Sequence, residues 1–138
     1  MARDKYHFQF RRALEKDHWQ VTHDSFDFSV GQMDFEIDLG AERILGAEKD
    51  GQKIAIEIKS FLEDSPVSAF HKATGQYDNY LVGLSLYEPS RILYLAIPDV
   101  IFNTFFQRPF VKLIVQLKSI RIITFDPSTE KIIQWIEN

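Results

Sequence analysis

At 138 residues and 16.1 kDa the chain is long enough for one compact domain and too short for two ordinary ones. The absence of Cys excludes disulfides, thiolate zinc sites, iron–sulfur ligation and a Cys nucleophile, and no apolar run approaches the roughly 20 residues of a membrane helix. A net charge of −4 gives no general support for a duplex-binding surface, yet the charge is uneven: residues 24–50 hold two Lys/Arg against eight Asp/Glu, while residues 1–23 hold five against three.

Residues 4–17 predict an amphipathic helix, with Tyr6, Phe10, Ala13 and Leu14 on one face. Its opening, MARDKYHFQFRRALEK, lacks the apolar stretch of a signal peptide, so a cytoplasmic protein is expected. A short strand around Trp19–His23 leads into a polar loop through Asp24 and Ser25. The run GQMDFEIDLG alternates, which predicts one strand with Phe35, Ile37 and Leu39 on one face and Asp34, Glu36 and Asp38 on the other, interrupted at Gly40. Residues 43–59 then read as a hairpin turning at Asp50-Gly51. Its second arm, IAIEIKS, puts Ile54, Ile56 and Ile58 on one side and Ala55, Glu57 and Lys59 on the other.

Ser65 and Pro66 make an N-cap and first-turn pair for a helix to about Tyr87, with a core stripe of Val67, Phe70, Thr74, Tyr77, Leu81 and Leu84. Residues 91–98 are nearly all apolar, as suits a strand covered on both faces. Two short helical segments, 99–107 and 110–117, are separated by Pro109. SIRIITFD and KIIQWIE close the chain as two strands joined by a Pro-Ser-Thr turn. There is no internal repeat or linker, so residues 1–138 form a single domain. Its order is α-β-β-β-α-β-(α)-β-β, an α/β sheet flanked by helices.

The acidic stretch has two readings, a solvated face or a set of hard oxygen ligands for a divalent cation. Asp38 and Glu57 together suffice to hold one Mg²⁺ that keeps several waters, and Lys59 beside them can orient or deprotonate an attacking water. Asp34 and Glu36 read as solvated. Glu42 would fall opposite Lys59 if Asp50-Gly51 were a two-residue turn, as a fourth ligand or as a structural salt bridge. His18, His23 and His71 lack a metal-binding spacing and read as surface or core residues.

Asp38 followed, after eighteen residues, by Glu57-Ile58-Lys59 resembles the D…ExK signature of the PD-(D/E)xK nuclease superfamily, and Gln76 with Tyr80 resembles the Q-x-x-x-Y motif often carried on the next helix. Nearly the whole chain also resembles the XisH family, described as controlling factors for excision of the fdxN element in cyanobacteria. The resemblance runs through MARDKYHFQFRRAL, IDLGAE, GQKIAIEIKSF, ILYLAIP and TFFQRPF. It implies a restriction-endonuclease-like mixed sheet and a DNA-processing role beside a site-specific recombinase and a second controlling factor, XisI. It implies a site in which Asp38 and Glu57 bind Mg²⁺ or Mn²⁺, Lys59 positions water or stabilises developing charge, and Gln76 supports them. Ile37 stands where the motif often has Pro. On the first helix Glu15 is late for the metal-facing Glu of many such nucleases. His7 lies nearer that place, either as a ligand or as a hydrogen-bond partner of a carboxylate. The partners expected are DNA, the two proteins named and a second copy of the chain, with no membrane. The alternative is a non-catalytic interaction module regulating a recombinase, for which an exposed Phe cluster in FNTFFQRPF would provide the interface.

Overall fold

The structure is a computed structural model and describes residues 3–43, 51–63 and 65–137. Helix α1 (His7–Lys16) precedes strands β1 (Gln20–His23), β2 (Phe26–Val30), β3 (Met33–Ile37), β4 (Leu39–Arg43) and β5 (Gln52–Ile58). Helix α2 (Pro66–Tyr87), strand β6 (Ile92–Pro98), helices α3 (Asp99–Phe102) and α4 (Pro109–Leu117), and strands β7 (Ile122–Asp126) and β8 (Lys131–Ile136) complete the chain. Six strands form one mixed sheet in the order β1-β4-β5-β6-β7-β8. β5, β6 and β7 run parallel, so each step between them needs a crossover: α2 makes the first, and α3 with α4 the second. The expected α/β sheet flanked by helices is the fold observed.

The interior strands behave as their composition demands. Ile54, Ile56 and Ile58 are buried on the α1 side with Phe10, Leu14 and Trp19. Ala55 and Leu93 face the other core, with Phe70, Ala73 and Tyr77 of α2. Ser65 caps α2 by accepting the Ser68 N–H at 3.1 Å, and Pro66 occupies its first turn. The Tyr77 hydroxyl donates to Leu93 O at 3.2 Å and accepts the Arg121 N–H at 3.1 Å, tying α2 to β6 and to the start of β7. Within the expected stripe Phe70, Thr74, Tyr77 and Leu84 are buried, whereas Val67 and Leu81 are exposed, because small Ala69 and Ala73 bring α2 onto the sheet along a slightly rotated face.

The run 31–40 is not one strand. It breaks at Asp38, so Ile37 belongs to the α2-side core and Leu39 to the α1-side core. Its first half pairs with β2 as a separate two-stranded hairpin, turned by Gly31 and Gln32, both at positive φ, as a two-residue turn matching strand twist requires. Gly40 is no break, since it lies in β4 paired with Ala55.

The β4–β5 register pairs Arg43 with Gln52 and Glu42 with Lys53. A two-residue turn at Asp50-Gly51 would need a different register, and residues 44–50, Asp50 among them, lie outside the described residues. Glu42 therefore does not meet Lys59; it sits 3.7 Å from Arg91 as a structural ion pair.

The aromatic segment after β6 is not an exposed interface. Phe105 and Phe106 are buried against Phe61 and Phe70, and of the segment's four phenylalanines only Phe110 stands well exposed.

Candidate metal-dependent active site

Asp38 owes its position to the strand break. The chain leaves the main ladder there, so β4–β5 pairing ends at Leu39 opposite Ile56, and the Ile58 N–H two residues on is taken by Asp38 Oδ2 at 2.7 Å. One residue before Ile58, the pleat turns Glu57 to the α2 side, where it is buried. Lys59 follows the end of β5, its backbone N–H bonded to Ala96 O at 2.9 Å, and its Nζ lies 3.4 Å from Glu57 Oε2. Asp38, Glu57, Lys59, Gln76 and Tyr80 all line one open cavity of about 490 Å³. The sequence-predicted set therefore converges.

The electrostatics make this a high-energy arrangement. Burial raises the Asp38 pKa, opposed by the Ile58 N–H and by Glu57, His7 and Lys59. Burial and then the Asp38 charge push Glu57 up to about 8, against the pull of Lys59. Asp38 and Glu57 lie close enough for each to shift the ionisation of the other. Glu57 Oε1 is buried with no donor against it, and so is Gln76 Oε1. Buried acceptors without donors are costly in a folded protein, and a cation relieves that cost. Two carboxylates and an amide oxygen form a hard-oxygen set suited to Mg²⁺ or Mn²⁺ with waters completing the shell, so the residues present fit the ion. Among the described residues no three His, Asp or Glu side chains are gathered as a ready-made cage.

Sequence reasoning missed much of the rim. Arg3, Asp4, Asp24, Glu36 and Lys72 also line the cavity. Asp4 is fixed by the Tyr6 and Ser60 N–H groups at 2.9 Å each, tying the chain before α1 to the end of β5. His7 is the hydrogen-bond partner of a carboxylate: its Nε2 lies 2.8 Å from Asp24 Oδ1, and Arg11 donates to Asp24 Oδ2 at 2.7 Å. Burial works to raise the Asp24 pKa, but Arg11, His7 and Arg3 together hold it below the usual range. No spacing rule joins residues 7, 11 and 24; only the packing of α1 beside β1 does.

The sequence profile of the XisH family, described as "XisH protein", matches residues 1–133. An XisH family protein from Nostoc punctiforme PCC 73102 is 40% identical, with a TM-score of 0.87 over 96% of this chain and 99% of that one. An fdxN element excision controlling factor protein from Anabaena variabilis is 42% identical, with a TM-score of 0.87 over 97% of this chain and 99% of that one. No curated protein matches the chain.

Proposed function

The chain belongs to the XisH family, and from that premise we propose that it is a DNA-processing accessory factor for excision of a chromosomal element, carrying a metal-dependent nuclease site of the PD-(D/E)xK kind. The excision role follows the description of the Anabaena variabilis relative. The observation that carries the nuclease reading is the pairing of half-buried Asp38 with buried Glu57, with Lys59 Nζ 3.4 Å from Glu57, at the edge of an open cavity.

In this reading Asp38 and Glu57 hold Mg²⁺ or Mn²⁺, with Gln76 Oε1 as a neutral acceptor beside them. A bound divalent cation lowers the pKa of water and offsets charge on a phosphodiester. Asp38 is kept in place by the Ile58 N–H, so its carboxylate needs no reorganisation when it binds. Lys59, held between Glu57 and the cavity, orients the attacking water or stabilises charge developing on the phosphate. Arg3 and Lys72 give the acidic floor a local cationic rim, which an acidic protein needs to approach a polyanion.

The test is cleavage of DNA by the purified protein with Mg²⁺ or Mn²⁺, stopped by EDTA. Asp38→Ala or Glu57→Ala abolishes it by deleting one of very few ligands. Lys59→Ala loses rate while keeping cation affinity, since a transition-state contact affects kcat more than binding. Loss of only a few fold in all three points to a contaminant.

A second reading is a module that regulates a recombinase without cutting, with XisI or the recombinase as its partner. The net charge of −4 favours it, whereas the burial of Phe105 and Phe106 removes the surface first expected to serve it.

A further inference from the structure

Helix α4 is apolar on two faces, and the fold covers one of them. Val111 and Val115 are buried in the core, whereas Phe110, Leu113 and Leu117, spaced i, i+3, i+7 along the outer face, are 64%, 48% and 72% exposed. Lys118 Nζ ties the end of α4 to Asp78 of α2 at 2.6 Å, and one and two turns further along α2 stand Val82 and Leu86, both exposed. On the other flank Lys112 and Gln116, the residues before Leu113 and Leu117, line a hollow of about 270 Å³ with Phe106, Val115, Ile122 and Ile136. The outward side chains of α4 and α2 leave on the order of 500 Å² of apolar surface. That is the size at which a patch marks a contact, and about the apolar share of a standard interface of ~800 Å² per partner.

Charge selects the partner. Residues 100–125 hold Arg108, Lys112, Lys118 and Arg121 and no Asp or Glu, within a chain of net charge −4. Lys118 is matched by Asp78. Arg108 lies over the Phe105 ring and Lys112 stands exposed at the hollow, neither with a carboxylate partner among the described residues. A second copy docking by this same face would bring Arg108 and Lys112 against their own equivalents, because a two-fold interface is one patch used twice. An anionic membrane would match the charge, but α4 is nine residues long with one side fixed in the core, and a flat surface leaves the hollow beside it unfilled. We propose that the outer face of α4, with this hollow, docks an acidic amphipathic helix of a different protein. Its apolar stripe lies across Phe110, Leu113 and Leu117, and its carboxylates meet Arg108 and Lys112. The proposal is independent of the nuclease reading, since no residue lining this hollow lines the Asp38–Glu57 cavity.

The probe is a synthetic helical peptide with Leu at alternating three- and four-residue spacings and Glu on both flanks, titrated into the isotope-labelled full chain and followed by NMR. A control peptide carries Lys in place of every Glu. The acidic peptide binds about tenfold or more tightly than the basic one, and the resonances it shifts belong to α4 and the hollow. Leu113→Ser combined with Leu117→Ser, both at exposed positions that leave the core intact, weakens the acidic peptide by about tenfold or more. Arg108→Glu combined with Lys112→Glu reverses the preference, so that the basic peptide binds better, which adhesion through apolar contact alone cannot produce. Equal affinity for the two peptides, shifts centred elsewhere on the molecule, or a preference that survives the charge reversal overturns the proposal. A dimer seen by light scattering and lost in the double Leu variant assigns the face to a second copy. Co-sedimentation with phosphatidylserine vesicles, lost in the same variant, assigns it to a membrane. Either result overturns the proposal as well.

Discussion

Asp38 Oδ2 accepts the Ile58 N–H at 2.7 Å, so one bond both terminates the β4–β5 ladder and aims a carboxylate at the side chain of the preceding residue, Glu57. Structure and site share this contact. Asp38→Ala therefore carries opposing effects: the Ile58 N–H loses its acceptor, costing about 1–3 kcal/mol, while Glu57 loses a repulsive neighbour. Asp38→Asn keeps an acceptor and removes the charge. Urea unfolding at pH 8 should rank Asp38→Asn above Asp38→Ala in stability, and both should lose cation binding.

The Glu57 carboxyl ionises near 4.5 in its unperturbed state and near 8 in the fold. Between those values the folded chain holds a proton that the unfolded chain has released. Stability in EDTA therefore falls as pH rises from about 5 to 8, by at most ~1.4 kcal/mol per pH unit for one proton. Below the lower value both states are protonated and the contribution is fully present. Glu57→Gln should flatten this slope, as read from urea midpoints across the range.

A divalent cation reverses that trend. Ion binding requires both carboxylates ionised, so Mn²⁺ should bind more tightly at pH 8 than at pH 6 and release protons as it binds. At about a hundred times its dissociation constant it should add ~2.7 kcal/mol to the unfolding free energy of the wild type and nothing to Glu57→Ala. Calorimetric titration in two buffers of different ionisation enthalpy checks the proton release.

Gly83 makes the close approach of the β2–β3 hairpin to α2 feasible. In Gly83→Ala the new Cβ meets three carbons of the Phe35 ring at 3.0–3.2 Å, and the hairpin must shift. The expected cost is about 1–3 kcal/mol by thermal unfolding, with displaced Phe35 resonances in an NMR spectrum.

Phe105 and Phe106 are core residues. Truncating either to Ala should cost about 3–5 kcal/mol and lower the melting temperature, without a specific defect in partner association once folded protein is compared.

The fold was legible wherever burial imposes a period. The alternation of Ile54, Ile56 and Ile58 against Ala55 and Glu57 marked an interior strand, and Ser65-Pro66 marked the start of α2. Asp38, Glu57, Lys59 and Gln76 were legible through their spacing and their likeness to a known motif. The β2–β3 hairpin was hidden because alternation runs smoothly across Asp38, and a Gly-Gln turn is a weaker sign than Asn-Gly. The Glu42 register was misread because Asp50-Gly51 is a strong local turn signal, but the β4–β5 ladder is registered by Leu39 and Ala41 opposite Ile56 and Ile54. His7 was legible as the partner of a carboxylate, but the identity of that carboxylate, Asp24, and its pairing with Arg11 depend on α1 packing beside β1, which no local pattern encodes.

The central claim is that Asp38 and Glu57 hold a single hard cation. Anomalous diffraction from crystals of the protein soaked in Mn²⁺ at pH 8 measures this most directly. The account predicts one strong peak within coordination distance of both carboxylates, lost in Glu57→Gln crystals grown the same way. No peak at the pair, or a peak that survives Glu57→Gln unchanged, would contradict it.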